Sequence, residues 1–352
     1  MSVDYRVLIG DCLDTLKTLP EQSVHTCVTS PPYFGLRDYG VEGQLGAEPT
    51  PDEFVEALVR VFREVRRVLR DDGTVWLNLG DSYANSVGGV GNNPSSKSTL
   101  TTNGGKGPKA GDKYARGNEG KAVKINPGVP SKNLLGIPWR VAFALQQDGW
   151  YLRQDIIWHK PNPMPESVRD RCTKSHEYVF LLSKSPKYYY DAEAVKEPEV
   201  CGRQRGPAEH PDKKSTNGNG GLGRRKSTGM RNRRTVWTVT TRPYKGAHFA
   251  TFPPDLIQPC ILAGCPEGGT VLDPFGGSGT TAGVALAHGR NAVLCELNPE
   301  YAELVPERID WITDYYKVPR VEHPRHERGA EIDDFDLDLD LDDFDLDMDL
   351  AV

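Results

Sequence analysis

The sequence predicts an α/β fold on a doubly wound sheet, and two observations carry that expectation. Short apolar runs of strand length alternate with helix-period segments along most of the 352 residues. One stretch, residues 270–296, reads as strand, glycine turn, helix and strand, the crossover found in nucleotide-binding sheets. A third observation points to where chemistry sits. The apolar run 24–28 ends in Ser30-Pro31-Pro32-Tyr33, and about 240 residues later a second run ends in Asp273-Pro274-Phe275-Gly276-Gly277-Ser278-Gly279-Thr280-Thr281.

Element by element, Tyr5–Ile9 alternates and ends at Gly10-Asp11, and residues 12–19 place Cys12, Leu13, Leu16 and Leu19 on one helical face before Pro20. Val24–Thr29 is a second strand. Residues 51–69 repeat Phe54, Leu58, Val61, Phe62, Val65 and Leu69 at three and four, with Thr50 or Asp52 as a cap. Asp71-Asp72-Gly73 is expected to end that helix before a strand at 74–79. Residues 134–147 read as a helix and Tyr151–His159 as a strand, which Pro161, Pro163 and Pro165 then force out of the sheet. Segments 176–184 and 187–191 are expected to form a hairpin, and 236–240 a short extended piece. A helix at 255–263, the strand Thr270–Asp273, a helix at 280–288 and the strand Asn291–Glu296 complete the order.

Composition sets limits. A hydrophobic content of 37% suffices for a core, and no run approaches 18 apolar residues. Residues 1–14 lack a basic stretch followed by an apolar one, so the expectation is a cytoplasmic protein with no membrane partner. The seven cysteines show no C-x-x-C pairing, which indicates neither a disulfide framework nor a zinc site; no metal is expected. The net charge of −6 conceals a basic body, because residues 331–349 hold 11 acidic groups and no basic one. Residues 199–234 carry 10 Lys/Arg against 3 Asp/Glu, and residues 84–130 carry 7 against 2, both in Gly- and Asn-rich sequence. Such loops suit a polyanionic partner. The alternating acidic tail is expected to be disordered, since aspartates at every second position repel one another. It serves solubility, covers the basic loops as a DNA mimic, or binds a partner.

The two strand-end motifs read as halves of one methyl-transfer site. Ser-Pro-Pro-aromatic offers a hydroxyl, a fixed carbonyl and a flat ring, a pocket for a planar amino-bearing ring. The glycine turn lets backbone approach a nucleotide-like cofactor, and it is no phosphate loop, because Thr280 rather than lysine follows Gly279. Glu296 ends a strand 23 residues after Asp273, where a carboxylate can accept from ribose hydroxyls or start the helix at Asn298-Pro299-Glu300. The only Pro-Cys pair, Pro259-Cys260, falls inside a helix, where a buried structural cysteine is the expected role. His159 reads as a donor to backbone or phosphate, and Lys160 as a phosphate contact or a solvated lysine.

Taken in order, Gly10-Asp11-Cys12, Ser30–Tyr33, the segment Trp158 to Pro165, the segment His248 to Pro253 and the glycine turn resemble the permuted β-group amino-methyltransferases of DNA. The resemblance spans residues 5–318 apart from the two basic stretches. It implies a Rossmann-like class I methyltransferase with a seven-stranded, mostly parallel sheet, helices on both faces and a circularly permuted motif order. It further implies S-adenosyl-L-methionine as cofactor, held by Asp11, Phe252, Pro253, Asp273, Phe275, Gly276, Gly277, Ser278, Gly279, Thr280 and Glu296. Ser30, Pro31, Pro32 and Tyr33 would hold a flipped base, and Lys160, Arg224, Arg225, Arg231, Arg233 and Arg234 would contact DNA. On that reading residues 1–83 and 132–198 form the catalytic half, 84–131 a basic insertion and 199–235 the candidate target-recognition region. Residues 236–320 form the cofactor half and 321–352 the acidic tail. Ser30 favours N4 of cytosine, with N6 of adenine as the alternative. RNA or protein methylation, or a non-catalytic DNA-binding module, are the remoter readings. A homodimer and a cognate restriction endonuclease are left open.

Overall fold

The computed structural model describes residues 3–36, 41, 43–84, 128–199, 229–242, 252–321 and 323. Most of both basic stretches, including Arg224 and Arg225, lies outside them. So do residues 248–251 and, apart from Val321 and His323, the acidic tail.

The first strand, β1 (Tyr5–Ile9), leads through Gly10 into α1 (Cys12–Lys17), whose N-terminus is capped by Asp11 accepting from the Leu13 amide. After β2 (Val24–Thr29) comes α2 (Pro51–Val68), capped by Thr50 and opened by Pro51 at its first turn. Its buried Phe54 and Phe62 each contribute about 1.5–3 kcal/mol of burial free energy. The helix passes directly into β3 (Leu69–Leu79). Asp71-Asp72-Gly73 is therefore not a turn but a bulge inside the strand, marked by a register shift against β2.

Next come α3 (Ile137–Gln147), β4 (Tyr151–His159) and β5 (His176–Ser183). The expected hairpin at 187–191 does not form. β5 instead pairs antiparallel with both β3 and β4, and the following segment ties to Asp72 and Ala263 through the Tyr189 and Asp191 amides. A two-residue ribbon, β6 (Glu197–Pro198) with β7 (Met230–Arg231), precedes β8 (Val236–Thr238). The chain finishes with α4 (Pro254–Gly264), β9 (Thr270–Asp273), α5 (Thr280–Ala287), β10 (Asn291–Glu296), α6 (Pro299–Ala302) and α7 (Val305–Tyr316).

The main sheet runs β1-β10-β9-β2-β3-β5-β4-β8. Seven strands form the expected mostly parallel sheet, with β5 the antiparallel member, and the short β8 adds an eighth at the edge. The last strands in sequence, β9 and β10, sit between β1 and β2, so the permuted order is explicit in the topology. One core packs α1, α2 and α3 on one face, and a second packs α4, α5 and α7 on the other. No helix among the described residues is long and apolar enough to cross a membrane.

Candidate functional site

Strand order reverses between β9 and β2, and in an open parallel sheet that switch point leaves a crevice at the carboxyl ends of the strands. A cavity of about 550 Å³ opens there, lined by both Ser30–Tyr33 and the turn from Asp273 to Ser278. Its size falls within the usual range for small-molecule sites, roughly 300–1,000 Å³.

Hydrogen bonds join the end of β2 to the glycine-turn segment, the shortest of them from Thr29. Thr29 Oγ1, at the end of β2, donates to Asp273 Oδ1 at 2.6 Å, while Thr281 Oγ1 donates to Oδ2 at 2.6 Å and the Phe275 amide to Oδ1 at 3.1 Å. Asp273 is thus a buried clamp joining β2, β9 and α5. Burial pushes its carboxyl pKa up to about 6, with the hydroxyl and amide donors pulling the other way.

Around that clamp, Asp11, Phe252, Phe275, Gly276, Gly277, Ser278, Thr280 and Glu296 line the cavity. Pro253 and Gly279 are not lining residues but the N-caps of α4 and α5. Gly279 has φ +88°, and a Cβ there would meet Val305 at 2.8 Å, so both conformation and space require glycine. Glu296 accepts from the Gly277 amide at 2.7 Å on one oxygen and from the Asn298 amide at 2.8 Å on the other. It therefore steadies the glycine turn and the start of α6 together, and each oxygen keeps a lone pair for a ligand hydroxyl. Burial raises its pKa, against the pull of these amides. Ser278 Oγ is buried with no hydrogen-bond partner and borders the cavity, an orphan that a polar ligand would satisfy.

On the other side, the Ser30 hydroxyl lines the cavity and hydrogen-bonds to none of the described residues. The Tyr33 hydroxyl donates to Glu177 Oε2 at 2.7 Å, and Lys160 Nζ pairs with the other oxygen of Glu177. Lys160 also lies 4.1 Å from the Trp158 ring centre. Gly80 packs on the face of Tyr33, where a Cβ would come 2.4 Å from a ring carbon. Glu177, Asn78, Trp158, Asn162, Met164 and Arg242 all line the cavity, and sequence reasoning singled out none of them as a site residue. The signal that finds Glu177 is pairing register: Trp158 lies opposite it across β4 and β5, which brings Lys160 within reach.

Two thiols, Cys12 and Cys295, also line the cavity, and burial is the main cause that pushes each up to about 12, so both stay protonated at neutral pH. Cys260 lies buried in α4, away from the cavity, with Sγ against the Leu256 carbonyl at 3.7 Å. No described residues cluster as metal ligands. His159 Nδ1 meets Thr238 Oγ1 at 3.1 Å. Arg231 and Arg234 both pair with Glu197 at 2.9 Å, and the Arg233 guanidinium lies 4.8 Å from the Trp237 ring centre. None of these three arginines lines the cavity.

A switch-point cavity on this sheet, with a glycine turn at one wall and Ser-Pro-Pro-Tyr at the other, defines a class I methyltransferase architecture. The model of the DNA methylase family, covering N6 and N4 enzymes, matches residues 24–307, and the chain belongs to that family. It is 48% identical over 304 residues to the Type II methyltransferase M.Cfr9I of Citrobacter freundii, covering 85% of this chain and 86% of that one. Against the Type II methyltransferase M.SmaI of Serratia marcescens it is 47% identical over 310 residues, covering 86% and 90%. The solved PvuII DNA methyltransferase (cytosine-N4-specific) shares the fold at a TM-score of 0.57 and 19% identity, covering 90% of this chain and 93% of that one. The protein is thus a DNA methyltransferase acting on an exocyclic amino group with S-adenosyl-L-methionine as cofactor.

Proposed function

We propose that the amino group is N4 of cytosine, presented by a base flipped into this cavity. The observation that supports this reading above all is that Ser30 and Ser278, whose side-chain oxygens hydrogen-bond to none of the described residues, face one cavity across the Thr29–Asp273 bond. When bound, the cofactor supplies an electrophilic sulfonium methyl. Phe275, Phe252 and the glycine turn would hold its adenosyl part, with Glu296 on the ribose and Asp11 at the rim.

An exocyclic amino group is a weak nucleophile because its lone pair is delocalised into the ring. Ser30 Oγ and the Pro31 carbonyl accept its two N–H bonds, which localises the lone pair and aims it at the methyl group. Pro31 and Pro32 fix those acceptors in advance, so the rate gain comes from orientation and electrostatics. Tyr33 stacks on the base, its plane held by Glu177, and repays part of the unstacking free energy. The proton lost after transfer passes to water, and no strong base is needed.

Ser30 favours cytosine by resemblance to the family's N4 enzymes. Lys160 lines the base side of the cavity, so phosphate contact falls to the arginines around the 199–235 region, the assigned target-recognition segment. Residues 1–83 and 132–198 make the base side, with Asp11 reaching across to the cofactor, and 236–320 make the cofactor side. Action on DNA supports a cytoplasmic location, and the Type II relatives support a cognate restriction endonuclease; light scattering would decide between a monomer and a homodimer. Nucleoside mass spectrometry of DNA from expressing cells tests the reading. N4-methylcytosine is expected; N6-methyladenine in its place would overturn the choice of base.

A further inference from the structure

Met164 is 84% exposed, the most exposed large apolar side chain among the described residues, and it stands at the rim of the cavity. Its segment is stiff. Pro161, Pro163 and Pro165 each fix a backbone dihedral around it. Asn162 anchors the segment to Thr241, donating to its carbonyl at 3.2 Å and accepting from its amide at 3.0 Å. Lys160 adds a second anchor on the same side, through its amide on the Ser175 carbonyl at 2.8 Å and its ammonium on Glu177, and beyond Met164 the Glu166 carboxylate accepts from Arg171 at 2.6 Å and from the Lys174 amide at 3.3 Å. Leu36, 48% exposed, lines the same cavity, but only Met164 stands on a support braced at both ends.

In the free protein this side chain gains no burial, yet its support holds it outward. Extruding a base leaves a gap in the duplex stack beside the enzyme, and apolar side chains such as methionine fill such gaps between base steps. We propose that Met164 is a positioning residue that enters the vacated place in the stack and so keeps the target base in the cavity. This rests on the reading that the cavity receives a flipped base. Met164 acts on the extrusion equilibrium and not on methyl transfer, so its removal is felt only where the base must be torn from a partner.

The test uses the full chain, with its target site first mapped by sequencing methylated DNA from expressing cells. Two synthetic duplexes carry that site, one with the target base paired and one with an abasic position opposite it. Met164→Ala is expected to slow methylation of the paired duplex about tenfold or more, since unpairing and unstacking dominate there, and to stay within about twofold of wild type on the abasic one. Met164→Leu, which keeps the apolar bulk, is expected to match wild type on both. Equal rates for Met164→Ala and wild type on the paired duplex, or equal losses on both duplexes, would overturn the proposal. Wild-type protein that methylates neither duplex would instead overturn the flipped-base reading beneath it.

Discussion

At the residue scale the proposed chemistry rests on Ser30, whose hydroxyl lines the cavity and hydrogen-bonds to none of the described residues. Replacing it by alanine should reduce kcat about 10²-fold, the loss typical of one preorganised group at a reacting centre. Cofactor affinity, measured by equilibrium dialysis, should stay within about twofold, since the proposed contact of the serine is with the base. Asp273 makes a pH prediction. Its pKa is raised by burial to about 6, from an ordinary carboxyl value. The folded state therefore binds the proton more tightly than the unfolded chain. This contribution to stability is complete below the unfolded pKa and is lost as pH rises through about 6. Asp273→Asn should flatten the pH dependence of the unfolding midpoint between about pH 4 and 7, and an unchanged slope in thermal melts would contradict the assignment.

Individual elements show what the sequence could and could not reveal. β1, β2, β4, β9 and β10 match their expected bounds because apolar runs ending in Gly, Pro or Asp are local signals. The hairpin at 187–191 failed because three consecutive tyrosines, Tyr188 to Tyr190, suggest a strand locally, whereas β3 and β4 already occupy both edges of β5. The ribbon of β6 and β7 pairs residues more than 30 positions apart, so nothing nearby announces it. In the cavity, motif residues were legible because their order and spacing are distinctive. Glu177 and Asn78 were not, since a strand-borne polar residue acquires a role only from the strand beside it. Gly80, just past β3, likewise gains its role only from a neighbour: Gly80→Ala should displace the Tyr33 ring and lower the rate of DNA methylation about tenfold, as expected for loss of the proposed base-stacking platform. Cofactor binding by the same variant, followed by calorimetry, should be unaffected.

Across the whole molecule, residues 1–330 carry 43 basic against 38 acidic groups, and residues 199–234 alone hold 10 of the basic and 3 of the acidic. In the described structure Glu197 holds Arg231 and Arg234, and Trp237 supports Arg233, so the three proposed DNA contacts are already held in place by their neighbours. Neutralising all three should weaken binding to duplex DNA and reduce the slope of log affinity against log salt by roughly two to three, because each phosphate contact contributes close to one. An unaltered slope in fluorescence anisotropy would refute their assignment. The permutation explains why such distant motifs form one site. The sheet places β9 beside β2, so residues 244 positions apart in sequence meet through Thr29 and Asp273. A crystal structure of the protein with S-adenosylhomocysteine and a duplex bearing its mapped site would test this convergence most directly. The account predicts the adenosyl group against Phe275 and Glu296, and the target base out of the helix on Tyr33 with its amino nitrogen facing the cofactor sulfur across a gap of one methyl group. A cofactor product bound elsewhere, or a target base still stacked in the duplex, would contradict it.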